Sequence, residues 1–171
     1  MNKIILIAEA GINHNGNINK AMKLIDVAAN AKVDYVKFQF YKTRNLVIKK
    51  SKMANYQKKN LGESISQYEL LKKYELSLNE IKKLKKYAEK KKIKFLCSVF
   101  DTESLDELLR INIVDFKIPS GEINNIPLLQ KISKKAKRIF LSSGMANLKE
   151  ISYALKILKK NKYNKRSLYL L

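Results

Sequence analysis

The feature that most constrains this chain is the alternation of two textures along its length. Short β-branched or aromatic runs are followed repeatedly by longer segments with apolar residues at helical spacing. Ile4-Ile5-Leu6-Ile7-Ala8 reads as a first strand, and Ala21, Leu24, Ile25 and Ala28 then form a helical stripe. Asn17 or Asn19 can cap that helix. Tyr35 to Phe40 is a second strand, and Leu78, Ile81, Leu84 and Ala88 mark the next helix. Lys94 to Phe100 is a third strand, followed by Leu105, Leu108 and Leu109 on a helix. Asp115 to Ile118 is a fourth, with Ile126, Leu129 and Ile132 behind it. Arg138 to Leu141 is a fifth, with Ile151, Ala154, Leu155 and Leu158 behind it, and Ser167 to Leu171 begins a sixth. Such β-α repetition implies parallel strands joined by right-handed crossovers.

Two α/β architectures fit this order, an open doubly wound sheet and a closed (β/α)8 barrel. No G-x-G-x-x-G follows the first strand, which disfavours dinucleotide binding. The stretch from about Tyr41 to Ser77 is too long for an ordinary βα loop. Barrel enzymes build their sites from such excursions after a strand's C-terminal end. Five βα units and the start of strand 6 do not close eight strands, which takes roughly 250 residues. The expected fold over residues 1–171 is therefore an incomplete TIM (β/α)8 barrel. An open edge after the fifth helix is expected to favour association.

Apolar residues make up 46% of the chain and charged residues 30%, a balance that excludes a disordered polypeptide. The net charge of +21 raises nucleic-acid binding as a rival reading. Arginine, the usual residue for bidentate phosphate and base contacts, occurs only at Arg44, Arg110, Arg138 and Arg166. The lysines fall in helical runs such as Lys82-Lys83, Lys85-Lys86 and Lys90-Lys91-Lys92, the pattern of solvated faces. Neither a nucleic acid nor a membrane is expected as a partner, since no apolar run approaches about 18 residues. Glu9 interrupts what could pass for a signal peptide, and the single Cys97 forms no internal disulfide. A cytoplasmic location is expected.

Alternation places Lys37 and Gln39 opposite Val36, Phe38 and Phe40, hence inside the barrel if the apolar set meets helices. Lys117 lies opposite Phe116 and Ile118 in the same way. Inward lysines need anionic partners. Each pairs with a carboxylate such as Glu9 or Glu122, or both face an anionic substrate at the C-terminal rim. The second reading is preferred because the same rim collects Glu9, Ser98, Ser120 and Ser142. Pro119-Ser120-Gly121-Glu122 and Leu141-Ser142-Ser143-Gly144-Met145 follow adjacent strands, each with hydroxyls and free backbone N–H groups that suit a phosphate. His14 is the only histidine, so it cannot form a two-histidine metal site; it is either a loop-structural residue or a rim group. Cys97 reads as core or pocket lining.

Ile7-Ala8-Glu9-Ala10-Gly11-Ile12-Asn13-His14-Asn15-Gly16 resembles the opening signature of the sialic acid synthase family. Val36-Lys37-Phe38-Gln39 resembles its second-strand motif. Lys117-Ile118-Pro119-Ser120-Gly121-Glu122-Ile123-Asn124-Asn125 and Leu141-Ser142-Ser143-Gly144-Met145 resemble its fourth- and fifth-strand motifs. The Tyr56-Gln57 to Leu70-Leu71 stretch is similar to the bacterial branch making neuraminic or legionaminic acid. The likeness runs over the whole chain.

The resemblance implies condensation of phosphoenolpyruvate with N-acetylmannosamine or a related N-acyl amino sugar, giving a sialic acid-type nonulosonic acid and phosphate. It implies Mn²⁺ or Mg²⁺ as cofactor and a homodimer as the assembly. By position, Lys117, Ser120 and Ser142 would hold phosphoenolpyruvate, and Lys37, Gln39 and Ser98 the sugar. Glu9 and Glu122 would be catalytic, Glu122 orienting the attacking water, while Asn13 and His14 are possible further contacts. The family's metal-binding histidines lie after the sixth strand, so no metal ligand is expected within these residues. The family's C-terminal antifreeze-like domain is likewise not expected here. Ser98 stands before Val99, where the family often has proline. A chain with these features is expected to be inactive alone, and a non-catalytic remnant or a split-enzyme subunit is the rival expectation.

Overall fold

The computed structural model describes residues 4–51, 66–160 and 167–171. The elements run β1 (Ile7–Gly11), α1 (Ile18–Asn30), β2 (Tyr35–Phe40), α2 (Thr43–Leu46), α3 (Gln67–Tyr74) and α4 (Leu78–Lys90). They continue with β3 (Lys94–Val99), α5 (Thr102–Arg110), β4 (Asp115–Ile118), a 3-10 turn (Ser120–Glu122) and α6 (Ile126–Lys135). β5 (Arg138–Leu141), α7 (Leu148–Lys159) and β6 (Leu168–Leu170) complete the series. Tyr56, Gln57 and Arg166 lie outside the described residues.

The helices begin where side chains satisfy their first free N–H groups. Asn17, not Asn19, caps α1, accepting from the N–H groups of Asn19 and Lys20. Ser66, Ser77 and Asn147 form capping boxes with Glu69, Glu80 and Glu150. Such a cap contributes about 1 kcal/mol. Three helices end alike. Lys32, Lys92 and Asn112 take left-handed φ values of 55°, 60° and 56°. The next N–H, of Val33, Ile93 or Ile113, bonds back to Ala28, Ala88 or Leu108. This closure normally recruits glycine; here burial of Ile93 and Ile113 helps hold it.

All strand pairs are parallel, and the order β1-β2-β3-β4-β5-β6 follows the sequence. A doubly wound sheet reverses its order at a switch point; this one does not, which is the barrel arrangement. β1 and β6 do not pair, so the sheet is open among the described residues. One face is covered by helices. Val36, Phe38, Phe40, Cys97, Val99, Phe116 and Ile139 are buried there with Ile25, Leu84, Leu105, Leu129 and Leu158. Fully burying one such side chain contributes about 1.5–3 kcal/mol. The inner face has a smaller apolar bed of Tyr35, Leu96 and Phe140, flanked by Ile5, Ile7 and Tyr169.

The first strand is displaced from its expected position. It spans Ile7–Gly11 rather than Ile4 to Ala8, and Ile4 and Leu6 stay exposed. Pairing with β2 decides this, because Ile7 opposes Tyr35 and Glu9 opposes Lys37. The register then slips, so that Gly11 faces Phe38. Gly11 has φ +50°, and a Cβ there would lie 3.0 Å from Glu9 Oε1 and 3.6 Å from Gln39 Nε2. A bulge ending in glycine thus lets Glu9 and Gln39 crowd the same corner.

Within the long excursion after β2, α2 is tied to the end of α3. Glu75 Oε2 accepts from the Thr43 N–H and hydroxyl at 3.0 and 2.6 Å. No helix among the described residues is long and apolar enough to cross a membrane.

Candidate active site

β1, β3 and β4 each send one polar side chain toward the C-terminal end of the inner face, and β2 sends two, Lys37 and Gln39. Glu9 on β1 forms an ion pair with Lys37 on β2. Lys37 Nζ also donates to Ser98 Oγ on β3 at 3.2 Å. Ser98 sits beside Lys117 of β4 in the ladder, and Lys117 sits beside Phe140 of β5. In the ladder Ser98 lies opposite Gln39 and Lys37 opposite Leu96, so Glu9, Lys37, Ser98 and Lys117 form a staggered row, joined where the Lys37 side chain reaches up to Ser98.

The two lysines are treated differently. Lys37 is 7% exposed and has both a carboxylate and a hydroxyl. Lys117 is half-buried and, among the described residues, has neither a hydrogen bond nor an ion pair. Burial, with the Lys37 ammonium adding to it, pushes the Lys117 amine down to about 8, and the Glu9 carboxylate only partly opposes this. So Lys37 follows the less favoured alternative, a carboxylate partner, because β1 brings Glu9 beside it, while Lys117 has no such partner among the described residues.

The turns after β4 and β5 approach each other beside this row. A Cβ on Gly144 would lie 3.6 Å from Ser120 Oγ. The Ser142 N–H bonds to Ile118 O at 3.0 Å, holding the start of the second turn against the end of β4. Glu122 closes the 3-10 turn, where its Oε2 accepts from Asn125 Nδ2 at 2.7 Å. Asn125 also caps α6 by accepting from the Leu128 N–H. Its role in orienting Glu122 was missing from the sequence reading. The signal available was an Asn directly ahead of an Ile-Pro helix start.

The loop after β1 is less uniform. Asn13 is exposed, with its N–H bonded to Ala10 O. His14 is 1% exposed and lies against Phe38, a residue of the helix-covered face. Its Nδ1 accepts from the Gly16 N–H at 3.0 Å, and burial lowers its pKa. In this structure the ring braces the loop. Cys97 is fully buried on the helix side, where desolvation pushes its thiol pKa upward. It belongs to the core and does not line the mouth.

Farther down the inner face is a second polar cluster that the sequence reading did not single out. Tyr35 donates to Asp115 Oδ2 at 2.8 Å, and Arg138 Nη1 reaches that oxygen at 3.0 Å and Tyr35 Oη at 2.9 Å. Asp115 and Arg138 begin neighbouring strands, directly opposite each other. Opposite charges at the first residues of consecutive strands were the legible signal.

Among the described residues, no group of three or more His, Cys, Asp or Glu side chains comes together as a metal site. The described donors form no divalent-ion site of their own, and roles in the row are assigned from its own side chains. The described cavities also lie away from the mouth. One of about 510 Å³ is a groove between α6 and α7 beside Lys134, Tyr153 and Lys156.

Residues 24–171 match the NeuB family model. The chain is 48% identical over its whole length to the N,N'-diacetyllegionaminic acid synthase of Campylobacter jejuni subsp. jejuni serotype O:2, covering 51% of that protein. It is 41% identical to the Legionella pneumophila protein of the same name, over 96% of this chain and 46% of that one. Among solved structures, the N-acetylneuraminic acid synthetase from Leptospira borgpetersenii in complex with citrate superimposes with a TM-score of 0.82 at 34% identity, over 99% of this chain and 53% of that one. The chain thus spans about half the length of the curated relatives it matches. The fold, the order of strand motifs and these matches agree, and the chain belongs to the NeuB family.

Proposed function

We propose that this chain carries the enol-phosphate cradle of a nonulosonic acid synthase. In this reading, Lys117 and the Ser120 and Ser142 turns hold the phosphate of phosphoenolpyruvate. Lys37, Gln39 and Ser98 line the approach of an N-acyl amino sugar. C3 of phosphoenolpyruvate attacks the open-chain aldehyde carbon of the sugar, and the aldehyde oxygen takes up a proton. Water then adds at C2, and phosphate leaves from the tetrahedral intermediate. Glu122, held by Asn125, orients that water and accepts its proton. Glu9 keeps Lys37 in place and offers a second carboxylate at the reacting carbons.

The relatives named as legionaminic and sialic acid synthases support this class of reaction. The observation that carries it is the unpartnered, half-buried Lys117 beside the turns that bear Ser120 and Ser142. A cation partly removed from water binds an anion more strongly than one in bulk solvent. A divalent ion, a homodimer and a cytoplasmic setting belong to the same proposal. Release of phosphate from phosphoenolpyruvate and N-acetylmannosamine by these 171 residues is expected to stay at background.

Calorimetric titration with phosphoenolpyruvate tests the cradle. The chain is expected to bind it, and Lys117→Met to weaken binding by about tenfold or more, the value of one charge-assisted hydrogen bond. Equal affinity in the two proteins would remove the assignment.

A further inference from the structure

The same row of side chains has the makings of an amine nucleophile. Lysine in water holds its proton to about pH 10.4 and is unreactive toward carbonyls at neutral pH. It becomes nucleophilic when desolvated in a pocket or placed beside another cation. Lys117 meets both conditions. Phe140 flanks it on β5, and the Lys37 ammonium faces it across Ser98. The groups facing it are Glu9 from β1, Lys37 and Gln39 from β2, Ser98 from β3 and Phe140 from β5. Glu9, the carboxylate among them, is committed to Lys37. Among the described residues no hydrogen bond or ion pair pins the Lys117 amine, and the residue is partly exposed.

We propose that Lys117 condenses reversibly with small anionic carbonyl compounds of the α-keto acid class, forming an imine at the mouth of the sheet. The Nζ lone pair forms a bond to the carbonyl carbon, and the carbonyl π pair moves onto its oxygen. A proton passes from nitrogen to that oxygen, giving a carbinolamine. The hydroxyl then leaves with a proton as water, and the nitrogen lone pair closes the C=N bond. Water carries these protons, Ser98 is the hydroxyl beside Lys117 in the ladder, and two ammonium groups against one carboxylate favour an anionic ligand. The shift of the Lys117 amine to about 8 agrees with a neutral fraction near physiological pH. This reactivity does not depend on the synthase reading. An enol phosphate in the cradle would lock Lys117 as an ammonium and suppress it.

The test is reductive trapping. The 171-residue chain is incubated with pyruvate and cyanoborohydride at pH 7.5, and labelled lysines are mapped by peptide mass spectrometry over time. Lys117 is expected to label about tenfold faster than exposed lysines, because its larger neutral fraction outweighs its lower intrinsic basicity. Lys37→Met is expected to slow labelling at Lys117 at pH 7.5, with the gap closing near pH 10. Labelling spread over lysines according to exposure would overturn the proposal. So would a Lys117 rate no faster than in the urea-unfolded chain, a comparison that needs no folded variant. Fast labelling that phosphoenolpyruvate does not suppress would keep the amine and discard the cradle. Slow labelling together with tight phosphoenolpyruvate binding would do the reverse.

Discussion

The inner face of the sheet carries cations at two levels, and they are handled in opposite ways. At the lower level Arg138 and Tyr35 share one carboxylate oxygen, Asp115 Oδ2, with Arg138 bound both to it and to the phenol, while Asp115 Oδ1 is buried without a hydrogen bond among the described residues. At the upper level two ammonium groups meet one carboxylate, and Lys117 is left over. The lower cluster resembles a structural plug, in which each cation finds an internal counter-charge. The upper one resembles a receptor, in which an unmet charge waits for a ligand. The two levels share β2 and β4, where Tyr35 and Lys37, and Asp115 and Lys117, lie two residues apart, so the contrast comes from partner supply and not from strand chemistry.

Replacing one partner at each level should separate the two roles. Asp115→Ala is expected to cost about 2–3 kcal/mol, less than the full penalty for a buried pair because Arg138 is about a third exposed. Urea unfolding measures it, and a loss below the error of the method would make the lower cluster ornamental. Lys117→Met should behave oppositely. Removing an unpartnered, half-buried ammonium should leave the urea midpoint unchanged or raise it, while phosphoenolpyruvate affinity falls. A clear destabilisation would mean that Lys117 is structural after all.

The pH response gives a finer distinction. The Lys117 amine is lowered to about 8 in the folded chain, against about 10.4 unfolded. Between these values the unfolded chain binds the extra proton, so this group's contribution to stability rises with pH across that window. Its unfavourable contribution is fully present below pH 8. The melting-temperature difference between Lys117→Met and the parent chain should therefore shrink from pH 8 to pH 10.5. Anion affinity should move the other way, falling about tenfold from pH 7 to pH 9 as the ammonium titrates. A pH-independent affinity would detach Lys117 from the anion. The smallest effect is expected at Ser98→Ala, which removes one hydrogen bond from Lys37 but leaves its pairing with Glu9. A loss of about 1 kcal/mol or less in binding is expected by titration; a loss equal to that of Lys117→Met would place Ser98 in direct contact with the ligand.

Much of the fold was legible because the two periods are so distinct. Phe38 and Phe40, and Ile81 with Leu84 and Ala88, fall on buried faces as their spacing predicts. Lys37, Gln39 and Lys117 were placed on the inner face by the same alternation, and Glu9 and Ser98 by their position at the rim. The first strand was misplaced because hydropathy favours Ile4 and Leu6, while pairing with Tyr35 and Lys37 pulls the ladder forward to Gly11. The Asn125 contact to Glu122 and the cluster at Asp115 were not assembled, since both depend on the path taken by a turn or on neighbouring strands.

By itself the sequence determined the order of strands and of the helices behind them, and which side of each strand is polar, though not the bounds of β1 or the helices α2 and α3. Those are local properties, set by period and by side-chain chemistry within a few residues. Only the tertiary structure decided which lysine has a partner. Glu9 and Lys37 lie 28 positions apart and meet because β1 pairs with β2 in one particular register. Lys117 faces a second ammonium for the same kind of reason, through the packing of β4 beside β3. Charge balance at a site is a sum over strands, and no single strand contains it.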